Sequence, residues 1–246
     1  MPLAMQAVDL SDIDLCAFDM DGTLYKYSPD YLAVLHIAQS TVVMNMSQGR
    51  LTMEAARAMC SESYQTLGSG WTLPAQFLGI SDRDIHVAYH ESINTDLIEP
   101  LPMLRESFCD AAQNGLALGI ITHSHMHFCD RVLQKLTIRD ALPDNHIVTL
   151  EQVDYREKQN DKAMFEEICM RSGIAPERML VIEDSIKNLF LAKAMGAKTA
   201  YVNWGTPLET LPGHVDIQLE SPIDANQQVI AARKARLAPN PQAVLI

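Results

Sequence analysis

The stretch Cys16-Ala17-Phe18-Asp19-Met20-Asp21-Gly22-Thr23-Leu24-Tyr25 decides the reading of this chain. A short apolar run ends in two carboxylates one residue apart and then in a Gly-Thr turn. Alternation along a strand points residues i and i+2 to the same side, so Asp19 and Asp21 can face one small volume. Two neighbouring anions repel, and they are best tolerated where a cation or a reaction needs them. Asp and Gly are also common at ordinary strand-to-turn junctions. The rest of the chain must therefore supply further polar groups for the pair.

Working outward, short apolar runs at Ile13–Phe18, Leu116–Ile121, His146–Leu150, Met179–Ile182, Thr199–Val202 and Val215–Leu219 read as buried strands of a parallel sheet. Helical patterns lie between them. Met103–Asn114, Lys162–Ser172 and Lys187–Met195 are stopped by Gly115, Gly173 and Gly196. Helices ended by glycine and followed by strands are the mark of repeated β-α units, so the expected class is α/β with a Rossmann-like parallel-sheet core. Residues 28–98 break the rhythm with helical patterns over Tyr31–Met46, Thr52–Leu67 and Asp82–Ile93, with Gly68-Ser69-Gly70 between the last two. This is the expected helical cap domain, inserted over the first loop. Residues 1–27 and 99–246 then form the catalytic core, with Glu99-Pro100-Leu101-Pro102 as the return hinge. Pro239-Asn240-Pro241 predicts a loosely held tail.

Composition narrows the function classes. At 246 residues and 48% hydrophobic content the chain can bury a sizeable core. Nineteen basic against 31 acidic residues leave a formal charge of −12. Neither a nucleic acid nor an anionic membrane is the expected partner, because both need extensive positive charge. No apolar run reaches the ~20 residues that span a bilayer, and Met1–Leu10 lacks the plan of a signal peptide. Five widely spaced cysteines without a Cys-x-x-Cys pair read as reduced packing residues in a cytoplasmic protein. Cys16, inside the first strand run, is expected to be inert.

In open parallel sheets, ligands bind beyond the carboxyl ends of the strands. Three strand runs end in polar groups: Asp19 and Asp21 after the first, Thr122 after the second, and Glu183-Asp184-Ser185 after the fourth. Asp-x-Asp-Gly-Thr-Leu with these partners resembles the haloacid dehalogenase (HAD) superfamily. The resemblance implies that Asp19 is a nucleophile attacking phosphorus and that Asp21 is the acid/base serving the leaving group and then water. It implies that Thr122 holds a phosphoryl oxygen, with Gly22, Thr23 and His123 lining the substrate phosphate. It also implies Mg2+ held by Asp19, the Asp21 carbonyl and Asp184, with Glu183 alongside; hard oxygen ligands suit that ion. A lysine should bridge nucleophile and phosphoryl group, and Arg156-Glu157-Lys158-Gln159-Asn160-Asp161-Lys162 offers two. Lys158 fits the family's Lys-Pro-x-x-x-x-Phe with Gln for Pro and one extra residue, and is preferred. Lys162, in the first turn of a helix capped by Asp161, is the alternative.

His123, His125 and His127 alternate, a spacing that does not gather zinc ligands on one helical face. The methionines Met44, Met46, Met53 and Met59 read as packing. A dehalogenase has no alkoxide to protonate, so Asp21 argues against one. Asp-x-Asp-x-Thr-Leu-Tyr and Ser63-Tyr64-Gln65-Thr66-Leu67-Gly68 are similar to the pyrimidine 5′-nucleotidase branch. Tyr64, Trp71 and His90 are the cap candidates for contacting a base or sugar, and core packing explains each at least as well. The expectation is a Mg2+-dependent phosphatase, monomer or homodimer, acting on a small phosphorylated metabolite and, by that branch, on a nucleoside 5′-monophosphate. The rivals are a phosphomutase and a silent metabolite-binding module of the same fold.

Overall fold

Among the described residues six strands, β1 (Leu15–Phe18), β2 (Ala117–Thr122), β3 (Ile147–Thr149), β4 (Met179–Glu183), β5 (Lys198–Val202) and β6 (Ile217–Leu219), form one parallel sheet. Their order is β3-β2-β1-β4-β5-β6. The computed structural model describes residues 8–67 and 69–238. Gly68 and Pro239-Asn240-Pro241, assigned above to a loop and a tail, lie outside the described residues. Every residue of β1 and β4 is buried, as a central parallel strand requires. Phe18 pairs with Ile120 on one side and Ile182 on the other, so β1, β2 and β4 end at one level. The strand order reverses beside β1, and a crevice for ligands opens at such a switch point.

The helices are α1 (Pro29–Met46), α2 (Met53–Leu67), α3 (Thr72–Leu78), α4 (Asp82–Ser92), α5 (Leu104–Gln113), α6 (Met126–Lys135), α7 (Ala163–Ser172), α8 (Leu189–Ala194) and α9 (Pro222–Leu237). The chain divides into two compact units. Of the described residues, the first holds 8–26, Pro100–His123 and 136–238, which include the sheet with α5 and α7–α9. One side of its core joins Leu15, Ala17, Ile121, Val148 and Val181 of the strands to Phe165, Ile168, Leu189 and Ala192 of α7 and α8. On α5, Phe108 packs against Phe18 with ring centroids 5.2 Å apart. α7 stops at Gly173, whose φ of +70° is open to glycine without strain. The helix expected over Lys187–Met195 is split: a 3₁₀ turn, Ile186–Asn188, precedes α8. Glu183 causes this, since its Oε1 accepts from Ser185 N–H and Asn188 Nδ2, both at 3.2 Å, and draws the first turn tight.

The second unit holds Tyr27–Glu99 together with Ser124–Lys135. Val42 and Val43 of α1, Ala56 and Cys60 of α2, Ala75 of α3 and Ile85 of α4 form its core, with Met44, Met46 and Trp71 packed against it. Sequence reading leaves residues 124–135 in the core domain, whereas the structure groups them with the helices. The reason lies in Arg131 on α6, which donates to His90 O at 2.6 Å and Ile93 O at 3.0 Å at the end of α4. Lys135 Nζ adds a bond to Asp96 O at 3.2 Å. No helix among the described residues is long and apolar enough to cross a membrane.

Candidate active site

Asp19 is the first residue past β1, and its N–H still bonds to Ile182 O at 2.8 Å in register with β4. Its side chain is buried, which fixes both oxygens. Oδ1 accepts from Lys158 Nζ at 2.5 Å, and Oδ2 lies 3.0 Å from Thr23 Oγ1. Thr23 also lies 3.2 Å from Asp184 Oδ1 and accepts the Asp184 N–H at 3.0 Å. This hydroxyl therefore couples the ends of β1 and β4. Gly22, with φ of +89°, makes the sharp turn between Asp21 and Thr23, and its carbonyl accepts the Trp204 indole N–H at 2.6 Å.

Lys158 is 1% exposed. Its ammonium also donates to Glu183 Oε2 at 2.7 Å and to Ile121 O at 3.1 Å, so all its protons have acceptors. Burial works against its charge, yet Asp19 and Glu183 outweigh burial and hold its pKa above the usual lysine range. Glu183 shifts upward as well, driven by burial and by Asp19 and Asp184, with Lys158 only partly offsetting them. Asp184 is raised by burial and Asp19. These shifts have one origin. Asp19, Glu183 and Asp184 can bring ligand oxygens within 4.8 Å of one another, and one ammonium cannot balance three carboxylates. The set carries two negative charges in excess, which a divalent cation would balance, and its all-oxygen donors suit Mg2+.

Asp21 stands one residue further along. Tyr25, itself buried, donates its hydroxyl to Asp21 Oδ1 at 2.5 Å, and Thr122 Oγ1 lies 3.4 Å from Oδ2. The sequence-predicted residues Asp19, Asp21, Thr23, Thr122, Lys158, Glu183 and Asp184 therefore meet at the carboxyl ends of β1, β2 and β4. Lys162 does not join them: just ahead of α7, its side chain is 59% exposed and pairs with Glu166 at 2.7 Å. His123, expected beside the phosphate, accepts the main-chain N–H of Lys158 on Nε2 at 2.9 Å. Sequence reasoning missed Tyr25 and Trp204 as contacts of this turn. Tyr25 follows Asp21 by four residues, a spacing that could have suggested it; Trp204 left no local signal.

The three alternating histidines have separate surroundings. His123 serves Lys158, His127 is exposed, and His125 packs in the helical unit against His86 and His90. His90 is buried there, with Nδ1 2.8 Å from His86 O and Nε2 3.1 Å from Ser124 Oγ; burial pushes its pKa down to about 4. Trp71 packs on His86 and Tyr89, and Tyr64 is 63% exposed. Burial raises the Cys16 thiol well above its usual range, which keeps it inert.

Comparison with known proteins agrees with this geometry. The chain is 24% identical over 192 residues to an N-acetylmuramic acid 6-phosphate phosphatase of Pseudomonas aeruginosa, covering 76% of this chain and 80% of that protein. It is 24% identical over 212 residues to a phosphoglycolate phosphatase of Shigella boydii, covering 79% and 82%. The crystal structure of a HAD phosphatase from Thermococcus onnurineus superposes with a TM-score of 0.64 at 15% identity, over 89% of this chain and 99% of that one. Residues 13–196, from the approach to β1 to the glycine that ends the helical segment after β4, match the family described as haloacid dehalogenase-like hydrolase. The chain belongs to that family.

Proposed function

We propose that the protein hydrolyses a small phosphomonoester through an aspartyl-phosphate on Asp19. The observation that carries this reading is the Lys158 ammonium held at 2.5 Å from Asp19 Oδ1 inside an otherwise anionic cluster. Such a group is preorganised to meet charge that develops when the carboxylate attacks phosphorus. Asp19 supplies the electron pair, and the bond from phosphorus to the leaving oxygen breaks. Asp21 gives that oxygen its proton and then takes one from the attacking water. Water attack on phosphorus releases inorganic phosphate and restores the Asp19 carboxylate. Tyr25 keeps the Asp21 carboxyl oriented, and Thr122 offers its hydroxyl to a phosphoryl oxygen.

Asp19 and Asp184, with the Asp21 carbonyl, are the residues that would hold Mg2+. Glu183 stands behind them, because Lys158, Ser185 and Asn188 already occupy its oxygens. When bound, the ion supplies neutralisation of the carboxylates and of the substrate phosphate.

The experiment is turnover of p-nitrophenyl phosphate with Mg2+ and with EDTA, for the wild type, Asp19→Asn and Asp21→Asn. Both variants should lose activity. A wild type without turnover overturns the reading, and full activity in Asp19→Asn overturns the covalent route. A panel of phosphorylated metabolites then assigns the substrate. Nucleoside 5′-monophosphates, which the Asp19–Tyr25 resemblance favours, compete there with phosphoglycolate and N-acetylmuramic acid 6-phosphate, named in the relatives.

A further inference from the structure

Lys158 lies in the irregular stretch between β3 and α7, where Asp154 and Tyr155 both have positive φ, +54° and +61°. No regular element fixes the lysine's main chain, although its ammonium must sit within hydrogen-bond reach of Asp19. Part of the stretch braces itself: Glu157 accepts from Gln159 Nε2 at 2.6 Å and Asn160 Nδ2 at 3.1 Å. The end of β2 supplies two further grips on Lys158 itself. Ile121 O takes the ammonium at 3.1 Å, and the imidazole of His123, two residues on, takes the main-chain N–H at 2.9 Å.

We propose that His123 is a positioning residue that fixes the Lys158 loop through Nε2, and so aims the ammonium at Asp19. Its lone pair on Nε2 is spent on the Lys158 N–H, so the neutral imidazole carries its proton on Nδ1. The environment favours that neutral form: desolvation and the Lys158 and Lys187 ammonium groups hold its pKa well below the usual histidine range. A cationic His123 would have no lone pair for the loop. The role differs from direct phosphate binding, and the two predict different kinetics. A lost phosphate contact weakens substrate binding and raises KM, whereas a displaced lysine costs transition-state stabilisation and lowers kcat.

The test compares His123→Phe, which keeps the ring bulk without an acceptor, with His123→Gln, whose amide oxygen restores one. A misplacement of about 1 Å can cost about 100-fold. The Phe variant should therefore lose at least about tenfold in kcat, with KM within about threefold, and Gln should recover most of the loss. Amide hydrogen exchange over residues 154–162 gives a second reading that needs no turnover. Exchange there should speed up in Phe and not in Gln, while β1 and β4 keep their protection. If the Phe variant does not fold, His123→Asn replaces it, because its shorter side chain cannot reach the Lys158 N–H. The proposal is overturned by unchanged kcat in Phe, by a rise in KM alone, by Gln as impaired as Phe, or by unaltered loop exchange. The kinetic arm rests on the phosphatase reading and the exchange arm does not. A wild type without turnover would thus sink that reading while exchange still decides His123.

Discussion

The indole of Trp204 donates its Nε1–H to the carbonyl oxygen of Gly22 at 2.6 Å, tying the loop after β5 to the turn that carries Asp19 and Asp21. The two residues are 182 positions apart, and Trp204 holds a φ of +51°, uncommon for a bulky side chain. Trp204→Phe keeps an aromatic ring and deletes the donor. A net hydrogen bond of this kind contributes about 1 kcal/mol, so urea unfolding should shift by about that amount. The looser turn should lower kcat with little change in KM. Wild-type kinetics and stability in this variant would show that the contact holds nothing in place.

The two candidate lysines should separate cleanly. Lys158→Met removes the ammonium between Asp19 and Glu183 and should reduce kcat by about 10³-fold, the scale seen when one preorganised donor is lost. Lys162→Ala deletes only an exposed i,i+4 pair that solvent screens. Its activity should match the wild type. Steady-state rates of both variants on one substrate decide the matter.

Metal-free stability should fall with rising pH. Glu183 and Asp184 carry folded-state pKa values above those of an unfolded chain, so the folded protein holds the extra protons at intermediate pH. Stability then declines as pH climbs from the ordinary carboxylate range, about 4, through the raised values. In EDTA the thermal midpoint should be higher near about pH 5.5 than near about pH 8. Millimolar Mg2+ should raise it more at the higher pH, where the carboxylates are ionised. Asp184→Asn should flatten the metal-free slope; an unchanged slope would show that these acids do not govern it.

Arg131 should matter to the helical unit. Its guanidinium bonds to His90 O and Ile93 O, which lie at the end of α4 where carbonyls lack intrahelical partners. Arg131→Met keeps the aliphatic stem and should cost about 2 kcal/mol, since hydrogen bonds to a charged group are worth about 1.5–3 kcal/mol. Exchange of amides in α4 and α6 should rise more than in the sheet.

By itself the sequence determined the sheet strands, the glycine-stopped helices and most of the acid cluster. These depend on local information: apolar runs, helix periodicity, and polar residues placed directly after strands. Asp19, Asp21, Thr122, Glu183 and Asp184 were legible because each sits where its own strand ends. The sequence pattern leans to Lys158 over Lys162 but fits with one extra residue, and packing separates the two by burying one ammonium 2.5 Å from a residue 139 positions away and leaving the other in solvent. The same holds for His123 turning to the Lys158 main chain, for Trp204 on Gly22, and for residues 124–135 joining the helical unit. Those relationships are contacts between segments distant in the chain, where the partner of a hydrogen-bonding group is set by the three-dimensional path and no local pattern records it.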